Sequence, residues 1–239
     1  MDVAAFSFSA GTIHSPLRFA FVSDLHNYPE LPVREAICAI DPDAVLVGGD
    51  FIQSATDRET GLRFLRSVSA RWPVICSSGK EHDFDEALIE EVEAAGAVFL
   101  RNRSLEFGGI LIGGLNTIPI TGKTEKEKQA LIGLDRAWLA EFGSRPGYKL
   151  LLCHHPEYYD LFVREYPVDL ILSGHAHGGQ IRLLGRGVWA PGQGWFPRYT
   201  AGLYDGRLLV SRGIGNSHRI PRIHNPPEVL KITLTPAPG

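Results

Sequence analysis

No apolar run in the sequence approaches the roughly 18 residues that cross a bilayer, so no transmembrane segment is expected. Cysteine is scarce: Cys38, Cys76 and Cys153 are an odd number without CxxC spacing. They read as reduced, mostly buried thiols of a cytoplasmic protein, not as a disulfide framework or a thiolate zinc site. A basic n-region is missing too, since the chain starts Met1-Asp2-Val3-Ala4-Ala5, which makes a poor signal peptide. Excess charge of one sign is also lacking. With 24 Lys and Arg against 27 Asp and Glu, the formal net charge is -3, which excludes a polybasic chain held to nucleic acid by its overall field. Neither an internal repeat nor a linker is visible, so residues 1–239 are expected to form a single domain.

What is present is an ordinary globular composition, 44% hydrophobic and 21% charged, incompatible with disorder, collagen or a coiled coil. Short apolar runs alternate with helical patterns. Strands are predicted at Leu17–Val22, Ala44–Val47 and Val74–Cys76, and helices at Leu31–Ile40, Arg58–Ala70 and Asp85–Ala95. The first helix closes at Asp41-Pro42 and the third at Gly96. This repetition implies parallel strands with crossover helices. Val98–Leu115 reads as short strands broken by Gly108-Gly109 and Gly113-Gly114, followed by a charged helix over Lys123–Phe142. Further strands are expected at Lys149–Cys153, Leu170–Ser173, Val188–Ala190, Tyr199–Leu203, Arg207–Ser211 and Val229–Leu234. Two mixed sheets packed face to face with helices outside, a four-layer α/β/β/α sandwich, fit this order better than one open sheet.

Acids and histidines gather where strands end: Asp24 and His26, Asp50, Glu81-His82-Asp83, His154-His155, and His175 with His177. Loops beyond the carboxyl ends of parallel strands converge on one crevice, so sequence-distant segments can deliver these side chains to one place. A strand-end Asp or a lone His is commonly a cap or a satisfied polar group. The ordered set Asp-x-His, Gly-Asp, His-Asp, His-His-Pro and Gly-His-x-His, each after a β-like run, is far more specific. Hydrolysis of a phosphate ester needs an activated water and neutralisation of the phosphoryl oxygens, and two divalent cations roughly 3.5–4 Å apart supply both. Carboxylate and imidazole donors suit Mn, Fe, Zn, Co or Ni, with Mn favoured here. Only a carboxylate can bridge two cations through an oxygen pair, and the central Asp50 is the natural bridge.

At these residues, and along nearly the whole chain, the sequence resembles the calcineurin-like metallophosphoesterases. Gly174-His175-Ala176-His177-Gly178-Gly179-Gln180-Ile181 is the most diagnostic stretch. With Phe196-Pro197-Arg198-Tyr199-Thr200-Ala201-Gly202 and Asn225-Pro226-Pro227-Glu228, it resembles a bacterial branch of membrane-associated phosphodiesterases and UDP-2,3-diacylglucosamine hydrolases. The resemblance implies two mixed sheets between helical layers. It assigns one metal to Asp24, His26, Asp50 and His177, and a second to Asp50, the residue at position 81, His154 and His175, with a bridging hydroxide as nucleophile. His82 would contact phosphate and protonate the leaving oxygen, and Asp83 would orient its ring. One departure stands out. Where the family reads Gly-Asn-His-Asp or Gly-Asn-His-Glu, this chain has Gly79-Lys80-Glu81-His82-Asp83. Either Glu81 replaces the neutral asparagine carbonyl with an anionic ligand, or the loop carries an insertion and Glu81 swings away.

Substrate residues are read from Arg182–Arg222, where seven arginines face one acid, Asp205. Guanidinium forks suit a small anionic phosphoester. Arg198 and Arg212, in Phe-Pro-Arg-Tyr and Ser-Arg-Gly, are the better candidates, and His155 is a further one. Trp189, Trp195, Phe196 and Tyr199 could form an apolar lip for a lipid-linked substrate at a membrane periphery, although the sequence shows no N-terminal hydrophobic anchor. The leading expectation is a metal-dependent hydrolase of phosphodiesters or phosphomonoesters. The alternatives are a UDP-2,3-diacylglucosamine-type pyrophosphate hydrolase and a metal-binding scaffold weakened by Glu81. A nuclease is disfavoured by the acidity and the absence of a lysine stripe.

Overall fold

A computed structural model describes residues 1–26, 28–52, 58–79, 86–116, 125–217 and 220–237. Glu81, His82 and Asp83, and with them the question of the Gly-Lys-Glu-His-Asp departure, lie outside the described residues. In chain order the first half forms β1 (Asp2–Ala10), β2 (Leu17–Val22), α1 (Glu30–Ile40), β3 (Ala44–Gly48), α2 (Glu59–Ser69), β4 (Val74–Ser77), α3 (Glu86–Ala94), β5 (Ala97–Leu100), β6 (Arg103–Phe107) and β7 (Ile110–Gly114). The second half adds α4 (Glu125–Ser144), β8 (Lys149–Leu152), the one-turn α5 (Tyr158–Leu161) and β9 (Leu170–Ser173). Two small hairpins follow, β10 (Arg182–Leu183) with β11 (Arg186–Gly187), then β12 (Trp189–Ala190) with β13 (Gly194–Trp195). The chain closes with β14 (Gly202–Tyr204), β15 (Leu208–Val210) and β16 (Glu228–Pro236).

Two six-stranded mixed sheets result, ordered β1-β16-β2-β3-β4-β5 and β14-β15-β9-β8-β7-β6. Strands β2 to β5 run parallel, as do β7, β8, β9 and β15, while β16 opposes β2 and each of β6 and β14 opposes its neighbour. Period-two alternation along β2 explains the layering. Phe19 and Phe21 enter a cluster with Ile112, Leu150, Leu152, Leu172 and Leu209 of the other sheet, whereas Ala20 and Val22 meet α1–α3 on the opposite face. Burying each phenylalanine contributes on the order of 1.5–3 kcal/mol. On the far side, α4 and α5 cover the second sheet through Leu139, Phe142, Tyr158 and Tyr159. The four-layer α/β/β/α sandwich expected from the sequence is the architecture observed.

Two local expectations are corrected. Gly113 and Gly114 do not break the chain but lie inside β7, fully paired with Ser104 and Arg103. A Cβ on Gly113 would stand 2.7 Å from the Phe142 ring and 2.9 Å from Trp138. The bare backbone therefore serves close packing of α4, whose Trp138 and Phe142 rings stack at 5.1 Å. The segment read only as a poor signal peptide is β1, which lies parallel to β16 over nine residue pairs. Its Ala4, Phe6 and Phe8 pack against the intersheet core. Cys76 and Cys153 are buried thiols outside any disulfide, and Cys38 is an exposed one.

Candidate metal centre

The carboxyl ends of β2, β3, β8 and β9 face one crevice, and each feeds a loop carrying the predicted donors. Backbone bonds tie these loops together. Asp24 N–H donates to Gly49 O (3.0 Å), His26 N–H to Asp50 O (3.2 Å), and Gly174 N–H to His154 O (3.1 Å). The two sheets are joined at the centre by His175 N–H, which lies 3.0 and 3.1 Å from the two carboxylate oxygens of Asp24. Space for that carboxylate exists because residue 174 is glycine: a Cβ there would stand 2.5 Å from Asp24 Oδ2. Five of the donors hold left-handed backbone, Asp24 (φ 55°), His26 (40°), Asp50 (50°), His175 (63°) and His177 (46°). Such conformations cost of order 1–3 kcal/mol each and concentrate at functional sites.

Two donor groups emerge. Asp24, His26, Asp50 and His177 bring one ligand atom each within 4.8 Å of one another, and so do Asp50, His154 and His175. Asp50 belongs to both: its Oδ2 lies 3.3 Å from His26 Nε2 and 3.4 Å from His154 Nε2. His177 Nε2 lies 3.5 Å from Asp24 Oδ1. These separations exceed good hydrogen bonds, yet they match the edge of about 3.4 Å that a tetrahedral cation with bonds of about 2.1 Å imposes on its ligands. His154 Nδ1 is 2.7 Å from Gly48 O, so that nitrogen carries the proton and Nε2 presents its lone pair, a common arrangement behind metal-binding imidazoles. The donor set thus fits divalent cations.

Electrostatics agree. Burial alone would raise the Asp24 carboxyl, but His177, His154 and His26 hold it below the usual carboxylate range despite the repulsion of Asp50. Against the same burial, His154 and His26 hold Asp50 well below that range. Burial pushes His177 down to about 3, keeping its imidazole neutral, as ligation requires.

The other candidates lie differently. His155 is buried, its ring 4.0 Å from that of His175 and stacked on Tyr158 at 5.0 Å. Arg198 pairs with Asp160 (2.7 Å) and covers the Tyr199 ring. It borders a cavity of about 410 Å³ with Arg186, Phe196, Thr200 and Tyr204. Arg212 is held by Glu228 at 2.7 Å and Asp2 at 2.9 Å, joining the end of β15 to β16 and β1.

Three residues at the site escaped the sequence reading. Arg222, counted only among the seven arginines, places Nη2 3.4 Å from His177 Nδ1 and donates to Gly215 O and Arg212 O. Buried Asn225, read only as part of the Asn225-Pro226-Pro227-Glu228 motif, fixes the His177 loop by donating to His177 O (2.7 Å) and Gln180 O (3.0 Å). Glu157 puts Oε1 3.8 Å from His175 Nε2. The signal for Glu157 was its place three residues beyond His154, in the same strand-end loop.

A four-layer sandwich carrying an Asp/His centre at its strand ends is the arrangement of a metal-dependent phosphoester hydrolase, and the calcineurin-like phosphoesterase family profile matches residues 17–179. The chain belongs to that family. Among curated proteins it is 27% identical to the uncharacterized protein YpbG of Bacillus subtilis over 92% of this chain and 81% of that one. It is 26% identical to the phosphodiesterase YaeI of Escherichia coli, covering 92% and 83%. With the uncharacterized metallophosphoesterase YkuE of Bacillus subtilis the identity is 27%, over 81% and 68%. Among the described residues no helix is long and apolar enough to cross a membrane.

Proposed function

We propose that this protein is a dinuclear phosphodiesterase. Asp24, His26, Asp50 and His177 would hold one divalent cation, and Asp50, His154, His175 and Glu81 the other. The observation that carries the reading is Asp50, whose single oxygen Oδ2 faces donors of both groups at 3.3 and 3.4 Å. The cation pair, when bound, supplies an activated water and neutralises charge on the phosphoryl oxygens. The chain's own part is to hold the donors in place, with His82 protonating the leaving oxygen and Asp83 orienting the His82 ring. The name of the Escherichia coli relative supports a diester over a monoester.

The test loads the protein with Mn²⁺ and measures turnover of bis-p-nitrophenyl phosphate. His82→Ala should lower the rate about 10²–10⁴-fold with metal content unchanged. Turnover of the monoester far above the diester would reverse the substrate preference, and two bound metals without turnover would favour a scaffold. Glu81→Asn should loosen the second metal; no change in metal content or turnover would remove Glu81 from the ligand set.

A lipid-linked substrate at a membrane surface, such as an acylated UDP-sugar, is the second reading. The tip of the β10–β11 hairpin exposes Leu183 (63%) and Leu184 (102%), and the end of β13 exposes Trp195 (67%) and Phe196 (83%), the most exposed large apolar side chains among the described residues. Beside them lie Arg186 and the cavity bordered by Phe196. Such an apolar tip with cationic flanks suits anionic lipid. Co-sedimentation with phosphatidylglycerol vesicles that disappears in Leu184→Ser/Phe196→Ser would support it, and equal recovery of both proteins in the supernatant would end it.

A further inference from the structure

Glu157 adjoins His175 of the second donor group without joining the set formed with Asp50 and His154. Its Oε1 is 3.8 Å from His175 Nε2, and His155, Glu157 and His175 cluster with ligand atoms within 4.8 Å of one another. With Nε2 turned toward this carboxylate, the remaining nitrogen of His175, the buried Nδ1, is the one that can address Asp50 and His154. Three features hold the pair in place. His155 packs its ring at 4.0 Å against His175 and is braced from behind by Tyr158. The left-handed backbone at His175 sets the direction of the imidazole. Gly192, in the β12–β13 turn, closes over the pair: a Cβ there would stand 3.0 Å from His175 Nε2 and collide with the Glu157 carboxylate.

We infer that Glu157 is a positioning residue for the second metal: its carboxylate, 3.8 Å away, favours the proton on His175 Nε2 by charge and leaves Nδ1 as the donor to the cation. A carboxylate in this place fixes the tautomer and ring orientation of a ligating histidine and raises its basicity, and its loss commonly weakens metal binding 10–100-fold. The inference rests on the dinuclear reading above and adds a residue to it. The apolar β12–β13 hairpin thereby touches the metal centre, because its turn covers the Glu157–His175 contact.

The test is a Mn²⁺ titration of the full chain by calorimetry, with metal analysis after gel filtration, electron paramagnetic resonance and thermal unfolding of the metal-free protein. Wild type should bind two equivalents and show an exchange-coupled pair. Glu157→Ala should weaken the second equivalent about 10–100-fold and leave the first unchanged. Its spectrum at matched loading should become mononuclear, and its metal-free unfolding temperature should stay at the wild-type value. Glu157→Gln, which keeps an acceptor oxygen, should recover part of the loss. Wild-type affinity for both equivalents in Glu157→Ala would overturn the inference. So would equal weakening of both sites together with lower metal-free stability, or a third equivalent in wild type that vanishes in the variant. A single equivalent in wild type would instead bring down the dinuclear reading itself.

Discussion

Two buried aspartates divide the work of the molecule at the level of single residues. Asp50 is shared by both donor groups. Asp50→Asn should lose both metals and lower turnover by more than the roughly 10–100-fold typical of residues behind the ligands, read by metal analysis and initial rates. Asp135 serves no site, and burial raises its carboxyl from 3.8 to about 6, moderated by the hydrogen bond from Asn102 and by Arg101. Because the folded value exceeds the unfolded one, the folded state binds the proton more tightly. Stability on this account is fullest below about pH 4 and is lost as pH rises through about 6. Asp135→Asn keeps the acceptor for Asn102 Nδ2, now at 2.8 Å from Oδ1. It should raise the unfolding temperature at pH 7.5 by a few degrees, on the order of 1–3 kcal/mol, and give no gain at pH 4. Thermal melts across that range check both the sign and the window.

Among the elements, β7 shows how a strand can be shaped by what lies on it. Gly113→Val would drive a side chain into Phe142 and Trp138, an overpacking worth about 1–3 kcal/mol. The unfolding temperature should fall by several degrees, whereas Gly11→Ala, with nothing within 4 Å of the added carbon, should leave it unchanged. The same strand marks where sequence reasoning stops. Glycine pairs signal turns by local rules, and Gly108-Gly109, with φ of 58° and 87°, obeys them. Gly113 is explained only by a helix some thirty residues away in the chain, and Gly114 by Leu100 of β5, which a Cβ there would meet at 2.5 Å. Strands β2, β3, β4 and β9 were legible because they are largely apolar runs, buried throughout except for Arg18 in β2. Strand β1 was not, because its exposed edge alternates small and polar residues and its partner is the distant β16. At the site, Asp24, His26, Asp50, His154, His175 and His177 could be read from strand-end position and residue type. Arg222 carried no such signal, and the place of Glu157 three residues beyond His154 did not disclose its neighbour, since topology and not sequence spacing brings the His177 and His175 imidazoles beside them.

Across the whole molecule, ligand binding and stability are linked. Cations that bind the folded chain and not the unfolded one stabilise it by about 2.7 kcal/mol at a hundredfold excess over the dissociation constant. Saturating Mn²⁺ should therefore raise the unfolding temperature by several degrees, and EDTA should reverse the gain, both read by scanning calorimetry. The donors also divide by sheet. Asp24, His26 and Asp50 follow strands of the first, and His154, His175 and His177 follow strands of the second. A bound cation pair would then act as a rivet through two plates otherwise held by their apolar core and a few polar ties, His175 N–H to Asp24 and Arg212 to Glu228 among them. Pulled across that seam, the loaded protein should yield at a higher force than the stripped one, and amide exchange should slow in both plates together.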